Sequence, residues 1–168
     1  GKEPDRTPPA PSKAASSGAY AFAGWKAPAI TGPDAPALEI VAAALGGGKT
    51  SAVFRTLRER DGTGYESGVT YPPRLGPSVL AVYARAASDA PAMRDRLTAL
   101  LADFRRQPPA DWTIPRRLAV NAWLSRHQTA RDRAYWLAFW ETSGVGYQGD
   151  AAHTTALREA SDAALQGA

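Results

Sequence analysis

Residues Leu45–Tyr65 read LGGGKTSAVFRTLRERDGTGY, and the interpretation of this stretch decides the fold. Gly46, Gly47 and Gly48 follow a helical pattern, because Leu38, Val41, Ala42 and Leu45 of LEIVAAAL recur at helical spacing. The letters GGGKT invite a phosphate cradle, since a P-loop reads G-x-x-x-x-G-K-[ST] and follows a buried strand. Gly48, Lys49 and Thr50 fit its end, but Ala43 stands where its first glycine belongs. Helix, glycines, helix is instead the pattern of a helix stop. Nucleotide binding is set aside on that mismatch.

Working outward, Ser51–Arg60 predicts a short helix burying Val53 and Leu57, with Phe54 beside them. The turn Asp61–Gly64 (DGTG) ends it. Tyr65–Tyr71 and Ser78–Ala86 predict two strands whose separation by PPRLGP points to an antiparallel hairpin with a long loop. Upstream, Tyr20, Phe22 and Trp25 lie in a strand closed by Pro28, and the small alanines between them suit a face covered by a helix. ITGPD then turns the chain, Asp34 is placed to cap the helix to Leu45, and Pro36 falls in its first turn, where a missing N–H costs little. Ser88 is expected to cap a helix through Arg106 with Met93, Leu97, Leu100, Leu101 and Phe104 on one side. Three more helices are predicted over Ile114–Arg126, Ala130–Thr142 and Asp150–Leu165. The economical arrangement is α+β: a two-layer sandwich of a mostly antiparallel sheet with helices packed on one face.

Composition bounds the function. At 168 residues the chain suits one domain with a substantial core, and 44% hydrophobic residues is ordinary for a globular protein. No apolar run approaches the roughly 18 residues that read as a membrane span. The net charge of +4 is modest and the arginines are scattered beside acids, so no nucleic-acid footprint is expected. Without cysteine there is no disulfide framework, thiolate metal site or Cys nucleophile. Residues 1–18 are rich in Pro, Ser and Lys with little to bury, which suits a linker or loosely attached arm and points to a preceding segment. The domain proper is then 19–168.

The run from Pro33-Asp34 through LEIVAAALGGGKTSAVFRTLRERDGTGY, then a hairpin and a helix, resembles the C-terminal, non-zinc half-domain of the insulinase, pitrilysin and mitochondrial processing peptidase family. The matching parts are Gly46 to Gly48, Ser51, Val53-Phe54, Leu57-Arg58-Glu59 and Gly62 to Tyr65, and the likeness covers about Tyr20–Arg106. The resemblance implies a peptide clamped between two homologous halves, one of them carrying an inverted zinc motif, H-x-x-E-H. The zinc half lies on the same chain or on a separate subunit. It also implies that Arg58 and Tyr65, seven positions apart, reach the peptide near the metal. Chemically, an arginine fork can hold a carbonyl or carboxylate, and a tyrosine hydroxyl can donate to a developing oxyanion. The plainer alternative pairs Arg58 with Glu59, Asp61 or Glu66 on the surface and lets Tyr65 simply begin a strand. Beyond Arg106 the likeness thins: ADWTIPRRLAV replaces an acidic helix start, and the family's final strand is not evident before Ala168.

This chain holds no zinc motif. Its histidines, His127 and His153, lie on different predicted helices and are read as surface or core residues. No metal or other cofactor is expected here, and zinc is expected in the complementary half, so the chain alone should be inactive. The glycines Gly46, Gly47 and Gly48 are either a substrate-binding loop or a plain helix end. Trp123 and the cluster Tyr135, Trp136, Phe139 and Trp140 suit a packed core first and a partner interface second. Two functions follow. One is the substrate-clamping half of a zinc metallopeptidase; the other is an inactive scaffold of the same fold, as in the respiratory-complex core proteins that resemble this family.

Overall fold

A computed structural model describes residues 19–63, 66–86 and 89–167, and the expected linker 1–18 lies outside them. Among the described residues the strands β1 (Ala19–Ala27), β2 (Ser67–Thr70) and β3 (Ser78–Ala86) form one antiparallel sheet in the order β1-β3-β2. β1 pairs with β3 over its whole length, from Ala19↔Ala86 to Ala27↔Ser78, and β2 pairs from Ser67↔Ala84 to Thr70↔Ala81. Period-two alternation then sorts the side chains. Ala21, Ala27, Leu80, Val82, Ala84 and Ala86 are buried on one face, while Tyr20 and Phe22 stand exposed on the other. The expected hairpin is present, and the alanines of β1 do face the helices.

The helical layer sits on that apolar face and is two deep. Helix α1 (Ala35–Gly46) and helix α2 (Ala90–Arg106) lie against the sheet. Helices α3 (Thr113–Ser125) and α5 (Gly149–Glu159) stack on α1 from outside, and α4 (Ala130–Thr142) packs on α5. This explains the composition of α1, where Ala35, Ala37, Leu38, Ile40, Val41, Ala44 and Leu45 are all buried. A helix covered on two sides needs an apolar surface wider than a single stripe. The α+β reading with helices on one face stands.

Several local expectations change. Asp34 occupies the N-cap of α1 but makes no side-chain cap; its carbonyl accepts from Leu38 N–H at 3.0 Å. The cap of α2 is Asp89, whose carboxylate accepts from Ala92 N–H at 2.9 Å, and Ser88 lies outside the described residues. The expected terminal helix is broken into α5 and α6 (Asp162–Gly167), with Ala160 extended at φ −52° and ψ 123°. Arg116 of α3 donates to the Ala160 carbonyl and the Asp162 carboxylate, both at 2.8 Å, and so holds the break open from a distant element.

The aromatic cluster divides. Trp123 (0% exposed), Trp136 and Trp140 form a core, with Trp123 and Trp136 ring centroids 4.8 Å apart, whereas Tyr135 is 60% exposed. Both histidines border this core and each has a carboxylate partner: His153 Nε2 lies 3.0 Å from Glu39, and His127 Nε2 lies 2.9 Å from Asp150.

Helix α4 begins on a reciprocal capping box. The Thr129 hydroxyl accepts from Asp132 N–H at 3.1 Å, while the Asp132 carboxylate accepts from Thr129 N–H at 3.2 Å and from its hydroxyl at 2.7 Å. The Thr129 hydroxyl, followed by its backbone N–H, holds the Asp132 carboxyl below its ordinary 3.8. A carboxyl depressed in the folded state stabilises it above the unfolded pKa, and that contribution fades as pH falls through the folded one. Asp132→Asn is therefore expected to lower the melting temperature near neutral pH. Paired melts should show the gap from wild type closing as acidification carries Asp132 below its folded pKa; a constant gap would refute this origin.

Candidate functional site at the glycine corner

The corner is built by three successive backbone devices. Gly47 N–H returns to the Ala43 carbonyl at 2.7 Å and closes α1. Gly48 then adopts φ +76°, a left-handed conformation that glycine reaches without the Cβ penalty. The Ser51 side chain, 2% exposed, donates to the Gly48 carbonyl at 2.8 Å and accepts from Phe54 N–H at 3.3 Å, in the manner of an N-cap. Helix stop and restart thus share one serine. A helix, α1, and not a strand leads directly into these glycines, unlike the strand-to-helix context of a P-loop.

Gly46 is required by packing. A Cβ there would lie 2.6 Å from Val69 Cγ2 and 2.8 Å from Val69 Cβ, because β2 crosses the end of α1 at this point. Gly46→Ala is expected to destabilise the fold by about 1–3 kcal/mol through overpacking. Gly76→Ala, where nothing lies within 4 Å, serves as the control and should leave the denaturation midpoint in place.

The short helix expected after the corner is present and is wound as a π-helix over Phe54–Arg60. Asp61 N–H reaches the Thr56 carbonyl at 3.1 Å, five residues back, and both the N–H and hydroxyl of Thr63 reach the Leu57 carbonyl, at 2.7 and 3.2 Å. These wider loops, with Gly62 at φ +63°, draw the chain back over the helix end. Such π-turns are rare and frequently found at functional sites. Leu57 and Val53 are buried as expected, while Arg58 is exposed with its guanidinium 5.5 Å from the Phe54 ring centroid.

Arg58 lines a shallow depression of about 200 Å³ together with Gly46, Gly48, Lys49, Ser51 and Phe54. The structure thus brings Arg58 and two of the three corner glycines to one rim. Gly47 does not line it and serves the helix end. Tyr65 and Gly64 lie outside the described residues. Sequence reasoning missed Lys49 on this rim, and it missed the support for Arg58 from Phe54, although the i, i+4 spacing was available.

Two of the nearby acids, Asp61 and Glu66, meet other residues. Asp61 pairs with Arg60 at 2.8 Å, and Glu66 accepts from the Tyr20 hydroxyl and lies 3.9 Å from Arg85. Bonding to the Glu66 carboxylate raises the Tyr20 phenol above its ordinary 10.0. The Glu66 carbonyl also accepts from Arg85 N–H at 2.8 Å, so the residue after Tyr65 is fastened to the central strand. Thr63 fastens the residue before Gly64 to the π-helix.

Residues 6–116 match the family profile described as the peptidase M16 inactive domain. Similar folds include the peptidase M16 inactive domain from Pseudomonas fluorescens (TM-score 0.75, 14% identity, covering 90% of this chain and 37% of that one). A protease from Helicobacter pylori gives TM-score 0.75 and 18% identity, covering 92% of this chain and 38% of that one. A candidate zinc protease from Bordetella pertussis Tohama I gives TM-score 0.73 and 19% identity, covering 90% of each chain. The chain thus spans under two fifths of the length of the first two. No functionally curated protein gave a significant match.

Proposed function

Because the chain belongs to the peptidase M16 inactive-domain family, we propose that it is the substrate-clamping, non-zinc half of a zinc metallopeptidase acting on peptides or unfolded segments. The observation that carries this reading is the place of Arg58, presented by a π-helix on the rim of the glycine corner. There the guanidinium would hold a peptide carbonyl or carboxylate by a paired N–H fork. Tyr65 would donate its hydroxyl to the oxygen that gains charge as the peptide bond is attacked. Gly48, where nothing lies within 4 Å of a Cβ position, leaves room for a substrate backbone at the same rim.

The described residues do not fit a zinc ion. Among the described residues no group of three or more His, Asp or Glu could hold a metal ion, and His127 and His153 each face one carboxylate. The metal would belong to a complementary half, on the same polypeptide or in another subunit.

The test is peptide cleavage by the assembly with its zinc-carrying half, wild type against Tyr65→Phe. A large fall in turnover with folding retained supports the clamp. Cleavage unchanged by the substitution removes Tyr65 from the site. If even the wild-type assembly has no zinc-dependent cleavage, the inactive-scaffold reading replaces this one.

A further inference from the structure

The sheet leaves one long edge open. With the strand order β1-β3-β2 the two edges belong to β1 and β2, and β1 has nine residues where β2 has four. Among the described residues no strand pairs with the outer side of β1. Natural sheet edges are blunted by prolines, bulges or charges. β1 has no proline, keeps an unbroken register against β3 from Ala19 to Ala27, and carries one charge, Lys26.

The register shows which backbone groups this edge presents. The Arg85 N–H donates to the Glu66 carbonyl on the β2 side, so Tyr83 and Ala81, in the same alternation, turn their backbone groups to β2 as well. Ala84, Val82 and Leu80 then turn theirs to β1, where they stand opposite Ala21, Ala23 and Trp25. The N–H and C=O groups of Tyr20, Phe22, Gly24 and Lys26 therefore point outward. The same alternation puts the side chains of Tyr20, Phe22 and Lys26 on the uncovered face of the sheet, where Phe22 is 61% exposed. Gly24 leaves a gap in that row which no side chain of its own can fill, because a Cβ would lie 2.3 Å from the Leu80 carbonyl oxygen.

We propose that this edge pairs with β1 of a second copy of the chain, antiparallel about a two-fold axis at Ala23, to make one continuous sheet of both copies. In that register the strand complements itself. Phe22 falls opposite the partner's Gly24 and covers the gap there, as aromatic residues do for edge glycines. Trp25, 51% exposed although it lies on the helix-facing side, falls opposite the partner's Ala21. Lys26 falls opposite the partner's Tyr20, whose hydroxyl bonds the Glu66 carboxylate, so the cation of one copy meets the acid of the other. Large residues meet small ones, and no like charges stand directly opposite. A second copy is the occupant because one strand supplies both halves of every match. The proposal is independent of the clamp at the glycine corner.

The experiment is sedimentation equilibrium of the purified protein from low-micromolar to sub-millimolar concentration, where a reversible dimer is expected. Phe22→Lys should weaken it about tenfold, because each cross-strand pair occurs twice across the axis. Leu137→Lys, at an exposed position on α4, should leave it unchanged. Both sites are exposed, and the far-ultraviolet spectrum checks that each variant folds. The register is read separately by Ala23→Cys. The chain has no cysteine, so any disulfide joins two copies. On the axis the two substituted positions form a non-hydrogen-bonded pair with Cα atoms about 4.5 Å apart, within disulfide reach. Mild oxidation should therefore crosslink Ala23→Cys at least tenfold faster than Leu75→Cys, at an exposed loop position. A monomer at every concentration overturns the proposal, as does a dimer indifferent to Phe22→Lys or equal crosslinking at the two cysteine positions. So does capture of the edge by the zinc-carrying half or an extended peptide where the chain alone stays monomeric.

Discussion

Trp123→Ala is expected to destabilise the protein by about 3–5 kcal/mol, the usual cost of truncating a large aromatic residue in a packed core. Trp123 is fully buried at the meeting point of three helices. Its ring lies 4.8 Å from that of Trp136 and 6.3 Å from that of Trp140 on α4, and 4.5 Å from that of His153 on α5. The Arg126 guanidinium lies 5.1 Å from it, so one face carries a cation contact as well. Removing the indole leaves a cavity that rigid neighbouring rings cannot collapse to fill. A domain of ordinary stability has about 5–15 kcal/mol in total, so roughly a fifth or more would be lost. Chemical denaturation measures this directly; a loss under about 1 kcal/mol would mean that α3, α4 and α5 do not depend on the tryptophan hub. Tyr135→Ala, at the exposed edge of the same aromatic run, should change stability little.

The largest effect on activity is expected at Tyr65. Loss of one oxyanion donor costs roughly two to three orders of magnitude in turnover, and Tyr65→Phe removes the hydroxyl while keeping the ring. Arg58→Lys offers an independent check, because an ammonium keeps the charge but loses the planar fork that grips a carbonyl or carboxylate from two directions. If the two residues act on one substrate, their effects will be non-additive: the double variant should lose less than the product of the single losses. Fully multiplicative losses would separate them into independent roles. Both substitutions leave Leu57 and Val53, the buried supports of the segment, in place.

Much of the fold was legible because its signals are local. Period-two alternation in β1 and β3, the Gly46–Gly48 stop and the apolar spacing of α2 each act within a few residues, and each element formed as read. Helix α4 spans Ala130–Thr142, the expected bounds, because Thr129 and Asp132 cap it without outside help. The misread elements answer to remote partners. The terminal helix breaks at Ala160 where Arg116, 44 positions away, takes its carbonyl. Tyr135 and Trp136 are neighbours in sequence, yet one is exposed and the other buried, because only one side of α4 meets other helices.

The candidate site divides the same way. From the residues alone came the helix stop at the glycines, the Arg58 and Tyr65 spacing and the lack of a zinc motif, since these depend on residue identity and short-range backbone rules. Only the tertiary structure decided that Gly46 is small because Val69 crosses it, and that Phe54–Arg60 winds as a π-helix. The same holds for the company of Arg58: Phe54 beneath it and Lys49 on a shared rim. Those outcomes depend on how β2 lies across the end of α1 and how Thr63 closes back on Leu57. Glycine and proline rules act within one turn of chain, whereas close packing couples residues that meet only after the layers have assembled.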